Sequence, residues 1–119
     1  MINPRRGEIW LVDLNPTRGQ EIQKTRPVVI ISAEAFQPIP LRIIVPITSW
    51  QEKFCDRLFM VKIEASPENQ LSRDSAGNVL QVRSISTERF VKRLGQVSDE
   101  ILQELLAGLI VCVDYEPNS

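Results

Sequence analysis

The chain has 119 residues, of which 43% are hydrophobic and 24% are charged, and its formal net charge at pH 7 is −1. This length suits one domain over residues 1–119, and the near-neutral charge differs from the basic balance of non-specific nucleic-acid binders. The sequence contains no histidine and two cysteines, Cys55 and Cys112. These counts exclude a Ser-His-Asp triad, a Cys-His pair and a histidine-based zinc site, so we expect no metal and no cofactor.

The termini and the cysteines indicate where the protein works. No apolar run reaches the length of a transmembrane helix, and the first ten residues lack the apolar core of a signal peptide. Cys55 and Cys112 are far apart and form no CxxC pair. We therefore expect a cytoplasmic protein without membrane contact and with two reduced thiols, Cys55 being inert packing.

Short runs rich in β-branched residues alternate with turn signals along the chain. They predict strands at residues 8–14, 27–32, 41–48, 58–63, 79–85 and 90–97. Trp10 alternates inward on the first strand and is expected in the core. One helical turn is expected at 33–36, and Pro46 predicts an edge or a bulge near the end of the third strand. Residues 66–77 are polar and rich in turn residues.

A helix is predicted at the C-terminal end of the chain. Ser98 is a typical N-cap, and Asp99 and Glu100 in the first turn complement the helix dipole. The helix carries an apolar stripe made of Ile101, Leu102, Leu105, Leu106 and Leu109. Six or so short strands with one terminal helix fit a small twisted barrel, or a sheet closed by a helix.

The connection between the first two predicted strands is unusually long and charged for a hairpin. It contains Arg18, Glu21, Lys24 and Arg26 and stops at Pro27. The whole stretch, GEIWLVDLNPTRGQEIQKTRPVVIIS at residues 7–32, closely resembles the N-terminal signature of the MazF/PemK (Kid-like) toxins of type II toxin–antitoxin systems. The resemblance continues through VPITS at 45–49, NVLQVRSIST at 78–87, and the RLGQVS strand with the terminal helix at 93–110.

This resemblance implies a mainly β fold with a C-terminal helix, the SH3-like small barrel of the MazF/CcdB/Kid-like toxins. It also implies a homodimer that cuts single-stranded RNA at short sequence motifs without a metal and is neutralised by a cognate antitoxin. That antitoxin is expected to be acidic, with a partly disordered segment that folds on the toxin. One position departs from the family pattern, because Leu80 replaces the acidic residue that commonly precedes Gln81.

The resemblance implies catalytic roles for Arg26 and Thr48, and possibly for Glu21. Cleavage by the 2′-hydroxyl would leave a 2′,3′-cyclic phosphate and a 5′-hydroxyl, and Arg26 would grip phosphate oxygens. Without the family match, Arg26 is more typical of a surface arginine and Thr48 of a residue that ends a strand. Glu21 is equally an ion-pair partner of Lys24 or Arg18. Ser49 is a possible substitute for Thr48.

Further side chains are candidates for binding RNA, although each is individually more typical of a solvated surface. Trp50 and Phe54 either stack on bases or belong to the core or the dimer interface. Gln81 either reads a base edge or makes a hydrogen bond within the sheet. The candidate RNA-binding residues are Arg18, Lys24, Ser49, Lys53, Arg57, Gln81 and Arg83. The alternatives to a nuclease are a gyrase-poison-like toxin and a non-catalytic SH3-like binding module.

Overall fold

The structure is a computed structural model that describes residues 2–117; residue 1 and residues 118–119 of the predicted domain lie outside the described residues. Within residues 2–117 there are seven strands and one α-helix. The elements in chain order are β1 (Glu8–Asp13), β2 (Thr25–Ile30), β3 (Leu41–Ser49), β4 (Met60–Ile63), β5 (Ser75–Asn78), β6 (Arg83–Ser86), β7 (Phe90–Gln96) and α1 (Asp99–Cys112). No helix in this described part is long and apolar enough to cross a membrane.

All strand pairings are antiparallel, in the order β4-β5-β3-β2-β1-β7, with β6 also paired to β3. The long strand β3 has two different partners on one side. Residues 41–44 pair with β6, and residues 47–49 pair with β5. Pro46 lies between these two pairings, so the expected edge or bulge is instead the place where the partner changes, and proline, which has no N–H, suits that position.

The apolar residues form two clusters, one on each face of the central strands. One cluster packs beneath α1 and includes Ile9, Val29, Val45 and Leu105. The other includes Trp10 and Val28 and lies on the opposite face, where Trp10 is 6% exposed, as predicted. Neighbouring residues of β1 and β2 therefore point into different clusters, which explains why β2 is apolar on both faces.

The C-terminal helix begins where the sequence predicts. The Ser98 hydroxyl accepts a hydrogen bond from the Ile101 N–H at 3.1 Å and caps the helix. Leu102 and Leu105 are buried against the sheet. Gly77 on β5 allows this approach, because a Cβ built there would lie 2.6 Å from Leu105 Cδ2 and 3.3 Å from Val45 Cγ1.

The predicted strand at 79–85 is confirmed only in its second half, where residues 83–85 belong to β6, and a strand was missed in the polar stretch before it. Residues Val79–Gln81 form a 3-10 turn, which the Asn78 side chain caps by accepting a hydrogen bond from the Gln81 N–H at 3.3 Å. β5 has the sequence SAGN. Its small residues resemble a turn, yet they are what a strand needs when a helix packs closely over it.

Cys55 is exposed, so the prediction that it serves as packing is wrong. It follows the 3-10 turn Glu52–Phe54, in which Phe54 is the residue that points inward. Cys112 is half-buried beside the cluster under α1, and both cysteines are free.

Candidate active site

Arg26 and Thr48 lie on neighbouring strands and line the same small cleft. Arg26 is on β2, paired with Val12 of β1, and Thr48 is on β3, paired with Ala76 of β5. The cleft has a volume of about 120 Å³. Because both side chains come from strands that are paired on the sheet, their backbones are held in fixed relative positions. Ser49, the predicted substitute for Thr48, lines the same cleft and is exposed.

Arg26 is a half-buried residue whose guanidinium is only partly engaged. Its Nε donates a hydrogen bond to the Gln23 carbonyl oxygen at 3.3 Å. Its two terminal nitrogens have no hydrogen-bond or ion-pair partner among residues 2–117, and the residue lines the cleft. A forked pair of N–H donors is therefore available for an anion, and the Nε bond orients the group.

Thr48 also lines a second, larger cleft of about 400 Å³, which Arg26 does not line. Gln20 and Ile22 of the first loop, Arg57 and Gln81 are among the residues around it. The half-buried residue Thr48 is thus shared by the two clefts. An extended ligand such as a nucleic-acid strand fits this arrangement better than a small molecule does.

The first loop, residues 14–24, is tied to the rest of the barrel at its tip and at its base. At the tip, the Gln81 amide accepts a hydrogen bond from the Ile22 N–H at 2.6 Å and donates one to the Gln20 carbonyl at 3.1 Å. At the base, Asn15 Oδ1 accepts from the Lys24 N–H at 3.1 Å, and Arg83 Nη1 donates to the Leu14 carbonyl at 3.3 Å. Gln81 was predicted either to read a base edge or to make a hydrogen bond within the sheet; its side chain instead bonds to the first loop.

Glu21 is not brought into the cleft of Arg26 and Thr48. Its carboxylate accepts a hydrogen bond from the Arg18 N–H at 2.6 Å, and it lines a third cleft of about 380 Å³ with Pro46, Gln81 and Arg83. The ion pair with Lys24 or Arg18 does not occur among the described residues. Glu21 is exposed and stabilises the turn of its own loop.

Of the remaining predicted RNA-binding cations, Arg57 and Arg83 line the two larger clefts. Arg18 and Lys24 are exposed on the first loop, and Arg83 is half-buried at its base. Lys53 Nζ and Arg57 Cζ lie 5.9 Å and 5.4 Å from the centre of the Phe54 ring. Phe54 is 5% exposed and meets Trp50 edge-to-face at 5.8 Å, so Phe54 belongs to the core and not to an open stacking platform.

A further part of the Arg26 cleft was not predicted from the sequence. Leu71, Ser72 and Arg73 from the connection between β4 and β5, and Ser75 at the start of β5, also line it. The sequence signal there was a polar stretch that looks like any surface turn. Only the register of β5 on β3, with Ser75 opposite Ser49, shows that these residues lie beside Thr48.

Few side chains of these clefts could bind a metal ion. Among residues 2–117 no group of three or more histidine, cysteine, aspartate or glutamate side chains is placed to hold one. The cleft of Arg26 and Thr48 is lined instead by guanidinium and hydroxyl groups. Such groups bind and polarise an anion, and a phosphodiester is the anion that combines them with an extended path.

Residues 5–113 match the family model described as the PemK-like, MazF-like toxin of type II toxin–antitoxin systems. The chain belongs to this family. It is 36% identical over 116 residues to the endoribonuclease MazF9 of Mycobacterium tuberculosis, which covers 92% of this chain and 96% of that protein. It is also 38% identical over 108 residues to the endoribonuclease PemK of Escherichia coli, covering 87% of this chain and 77% of PemK. The predicted family and the predicted endoribonuclease class are confirmed by these matches.

Solved structures of the family share the fold. MazF from Deinococcus radiodurans superposes with a TM-score of 0.79 at 20% identity, covering 97% of this chain and all of that one. The toxin MazF-mt6 of Mycobacterium tuberculosis gives a TM-score of 0.74 at 19% identity, covering 92% and 98%. A mycobacterial endoribonuclease bound to its cognate antitoxin gives 0.71 at 16% identity, covering 95% and 97%. The predicted fold, mainly β with a C-terminal helix, is confirmed.

Proposed function

We propose that this chain is the toxin of a type II toxin–antitoxin system and acts as a metal-independent, sequence-specific endoribonuclease on single-stranded RNA. The observation that carries this proposal is that Arg26 and Thr48 line one cleft and that Thr48 also lines a larger one. Family membership and the activity of the two named relatives support it. Cutting messenger RNA would block translation, and the place of action would be the cytoplasm.

The reaction needs a phosphate held in line with its neighbouring ribose. The 2′-oxygen forms a bond to phosphorus, the bond from phosphorus to the 5′-oxygen breaks, and the products are a 2′,3′-cyclic phosphate and a 5′-hydroxyl. The free Arg26 nitrogens would bind the non-bridging oxygens, whose negative charge grows during the attack. A permanently charged guanidinium is better suited to this role than to giving up a proton.

Thr48 would act beside Arg26 through its hydroxyl. This group can donate a hydrogen bond to a non-bridging oxygen or to the departing 5′-oxygen, and Ser49 on the same strand could take over part of the role. Both line the Arg26 cleft, and Thr48 also lines the larger one. The RNA strand would then continue past Arg57 on one side and past the first loop on the other, with Lys53, Arg18, Lys24 and Arg83 as further phosphate contacts.

Glu21 as acceptor of the 2′-hydroxyl proton stays a prediction. Its carboxylate is engaged by the Arg18 N–H and lines a different cleft from Arg26. To reach a ribose bound at Thr48, the first loop would have to move. Replacing Glu21 by glutamine removes the base but keeps the shape of the side chain. A loss of cleavage rate as large as that caused by Arg26→Ala would support Glu21 as the proton acceptor, and a near-normal cleavage rate would reject it.

The test is to incubate the purified protein with a long RNA of mixed sequence in the presence of EDTA. We expect cutting at a few defined sites by the wild type and a loss of rate on the order of 10²-fold or more in Arg26→Ala, since one donor to the developing charge is removed. Arg5→Ala is the matched control, because Arg5 is exposed and contacts Glu34 at 3.8 Å, away from the clefts. A wild type that leaves the RNA intact contradicts the proposal, and trapped gyrase–DNA complexes would then favour a gyrase poison.

Two partners belong to the same proposal. Structures of family members with their cognate antitoxins support an antitoxin for this chain, and we infer that an acidic, partly disordered segment of it covers the basic clefts. A homodimer is inferred from the family and from large exposed apolar side chains such as Phe36, Leu41 and Ile43. Sedimentation that shows a monomer at micromolar concentration would contradict the dimer.

A further inference from the structure

We propose that Arg73 is a second phosphate-binding residue of the Arg26 cleft. The reacting phosphate would then be held between guanidinium groups from two distant parts of the sequence, Arg26 on β2 and Arg73 before β5. This inference rests on the proposed function, because it assigns a role in RNA cleavage. Three observations support it: the position of Arg73 at the cleft, the hydrogen bonds that hold its backbone, and the unbonded N–H donors of its side chain.

The pairing of β5 with β3 brings Arg73 to the cleft. Ser75 is opposite Ser49 and Ala76 is opposite Thr48. Arg73 comes two residues before this ladder begins, at the end of β3 where Thr48 is exposed to the cleft. It therefore lines the same cleft as Arg26 and Thr48, although it is 47 residues from Arg26 along the chain.

The backbone on the C-terminal side of Arg73 is anchored at several points. The Asp74 carbonyl accepts a hydrogen bond from the Trp50 N–H at 3.0 Å, just after β3 ends. The Asp74 carboxylate accepts one from the Ala65 N–H at 2.9 Å, and the Ser75 hydroxyl donates to the Arg73 carbonyl at 3.0 Å. A residue on an exposed connection is thus fixed at the cleft, which reduces the entropy lost when its side chain binds a ligand.

The Arg73 side chain itself is exposed and free. It makes no hydrogen bond and no ion pair with any of residues 2–117, and the neighbouring Asp74 carboxylate is used by Ala65. The arginine side chains that line the two larger clefts, by contrast, have contacts: Arg83 with the Leu14 carbonyl, and Arg57 with the Phe54 ring. Arg73 therefore presents all of its N–H donors to whatever enters the cleft.

The chemistry calls for a second cation here. A phosphodiester carries one negative charge, and a second develops on its non-bridging oxygens as the 2′-oxygen attacks. One guanidinium on each side of the phosphate would balance these two negative charges. The serine hydroxyls of the cleft, Ser49 and Ser72, could add weaker hydrogen bonds. With no histidine in the chain, the charge has to be balanced by arginine or lysine, and Arg73 is placed to do so.

The test uses a short RNA that contains one cleavage site mapped with the wild type. The variants Arg73→Gln and Arg73→Lys are compared with the wild type and with Arg5→Ala, at several salt concentrations and with EDTA present. We expect kcat/KM to fall on the order of 10²-fold in Arg73→Gln. Arg73→Lys should keep part of the wild-type kcat/KM, because lysine keeps the positive charge but lacks the paired N–H donors of the guanidinium. A plot of the logarithm of the RNA-binding constant against the logarithm of the salt concentration should be less steep for Arg73→Gln. Its slope should change by about 0.7, the value for one lost phosphate contact on a single strand.

Thermal unfolding of each variant separates this role from a structural one, since an exposed side chain without partners should leave the melting temperature unchanged. If the wild type cuts the RNA, and Arg73→Gln cuts it equally well with an unchanged salt slope, the role of Arg73 is overturned while the proposed function stands. Loss of activity accompanied by unfolding also overturns it. A wild type that does not cut the RNA overturns the proposed function and this inference together.

Discussion

Glu8 is the residue whose environment most directly links stability to pH. Its carboxylate accepts hydrogen bonds from the Arg5 N–H at 2.8 Å, from the Trp10 indole at 3.0 Å and from Arg93 Nε at 2.7 Å. Partial burial raises the pKa of Glu8, but the hydrogen bonds from Trp10, Arg5 and Arg93 and the charge of Arg93 lower it by more, so the net pKa lies below its ordinary value of 4.5.

A pKa lowered by folding means that the ionised carboxylate stabilises the folded state. This contribution is fully present above the ordinary pKa of 4.5 and is lost as the pH falls through the lower folded-state value. We therefore expect Glu8→Gln to be less stable than the wild type at neutral pH, by about 1 kcal/mol for a partly exposed pair. The difference should shrink below pH 4.5.

Urea unfolding of both proteins between neutral and acidic pH measures this effect. Glu88→Gln is the matched control, because Glu88 is exposed on a turn of the same sheet. A stability difference between Glu8→Gln and the wild type that stays constant over the whole pH range would contradict the role of the charge.

At the scale of elements, the first loop depends on Gln81. The two ends of the Gln81 amide hold the Ile22 N–H and the Gln20 carbonyl, 59 and 61 residues away in the sequence. The Gln81 amide keeps one further lone pair and one further N–H, so it could contact a base edge while it holds the loop that carries Arg18 and Glu21.

Replacing Gln81 by alanine should free the tip of this loop even without RNA. We expect the Ile22 amide to exchange its hydrogen at least about 5-fold faster, since one hydrogen bond worth about 1 kcal/mol or more is lost. Hydrogen–deuterium exchange of the peptide around residues 18–24 measures this. Gln103→Ala, on an exposed position of α1, is the control, and equal exchange in both variants would show that Gln81 does not hold the loop.

The predicted strands with a clear apolar pattern agree with the structure. β1, β2, β3, β4 and β7 lie within two residues of their predicted bounds, and α1 begins after its predicted N-cap, Ser98. β5 was missed because its sequence, SAGN, has no β pattern, and Gly77 there is explained by the close approach of Leu105 on α1. Residues 79–81 alternate like a strand, but the Asn78 cap turns them into a 3-10 helix, and a local hydrogen bond of this kind leaves no mark on the periodicity.

At the scale of the whole molecule, the site exists only because three distant segments meet along β3. Arg26 and Thr48 could be named from the sequence because they belong to motifs of a recognised family. Arg73 could not, since its place follows from the β3–β5 register. Glu21 was named by the same motif, yet the structure places it in a different cleft, because the path of a loop depends on bonds such as those of Gln81.

In the proposed mechanism, the 2′-hydroxyl of the RNA attacks the neighbouring phosphate in the cleft of Arg26 and Thr48. The most direct measurement compares two oligonucleotides that contain the mapped cleavage site and differ only in the 2′-hydroxyl of the nucleotide before the cut. With EDTA present, we predict that the ribose substrate is cut to a 2′,3′-cyclic phosphate and a 5′-hydroxyl, while the 2′-deoxy substrate is bound but stays intact. Cutting of the 2′-deoxy substrate at a similar rate, or products with a 5′-phosphate, would contradict the account.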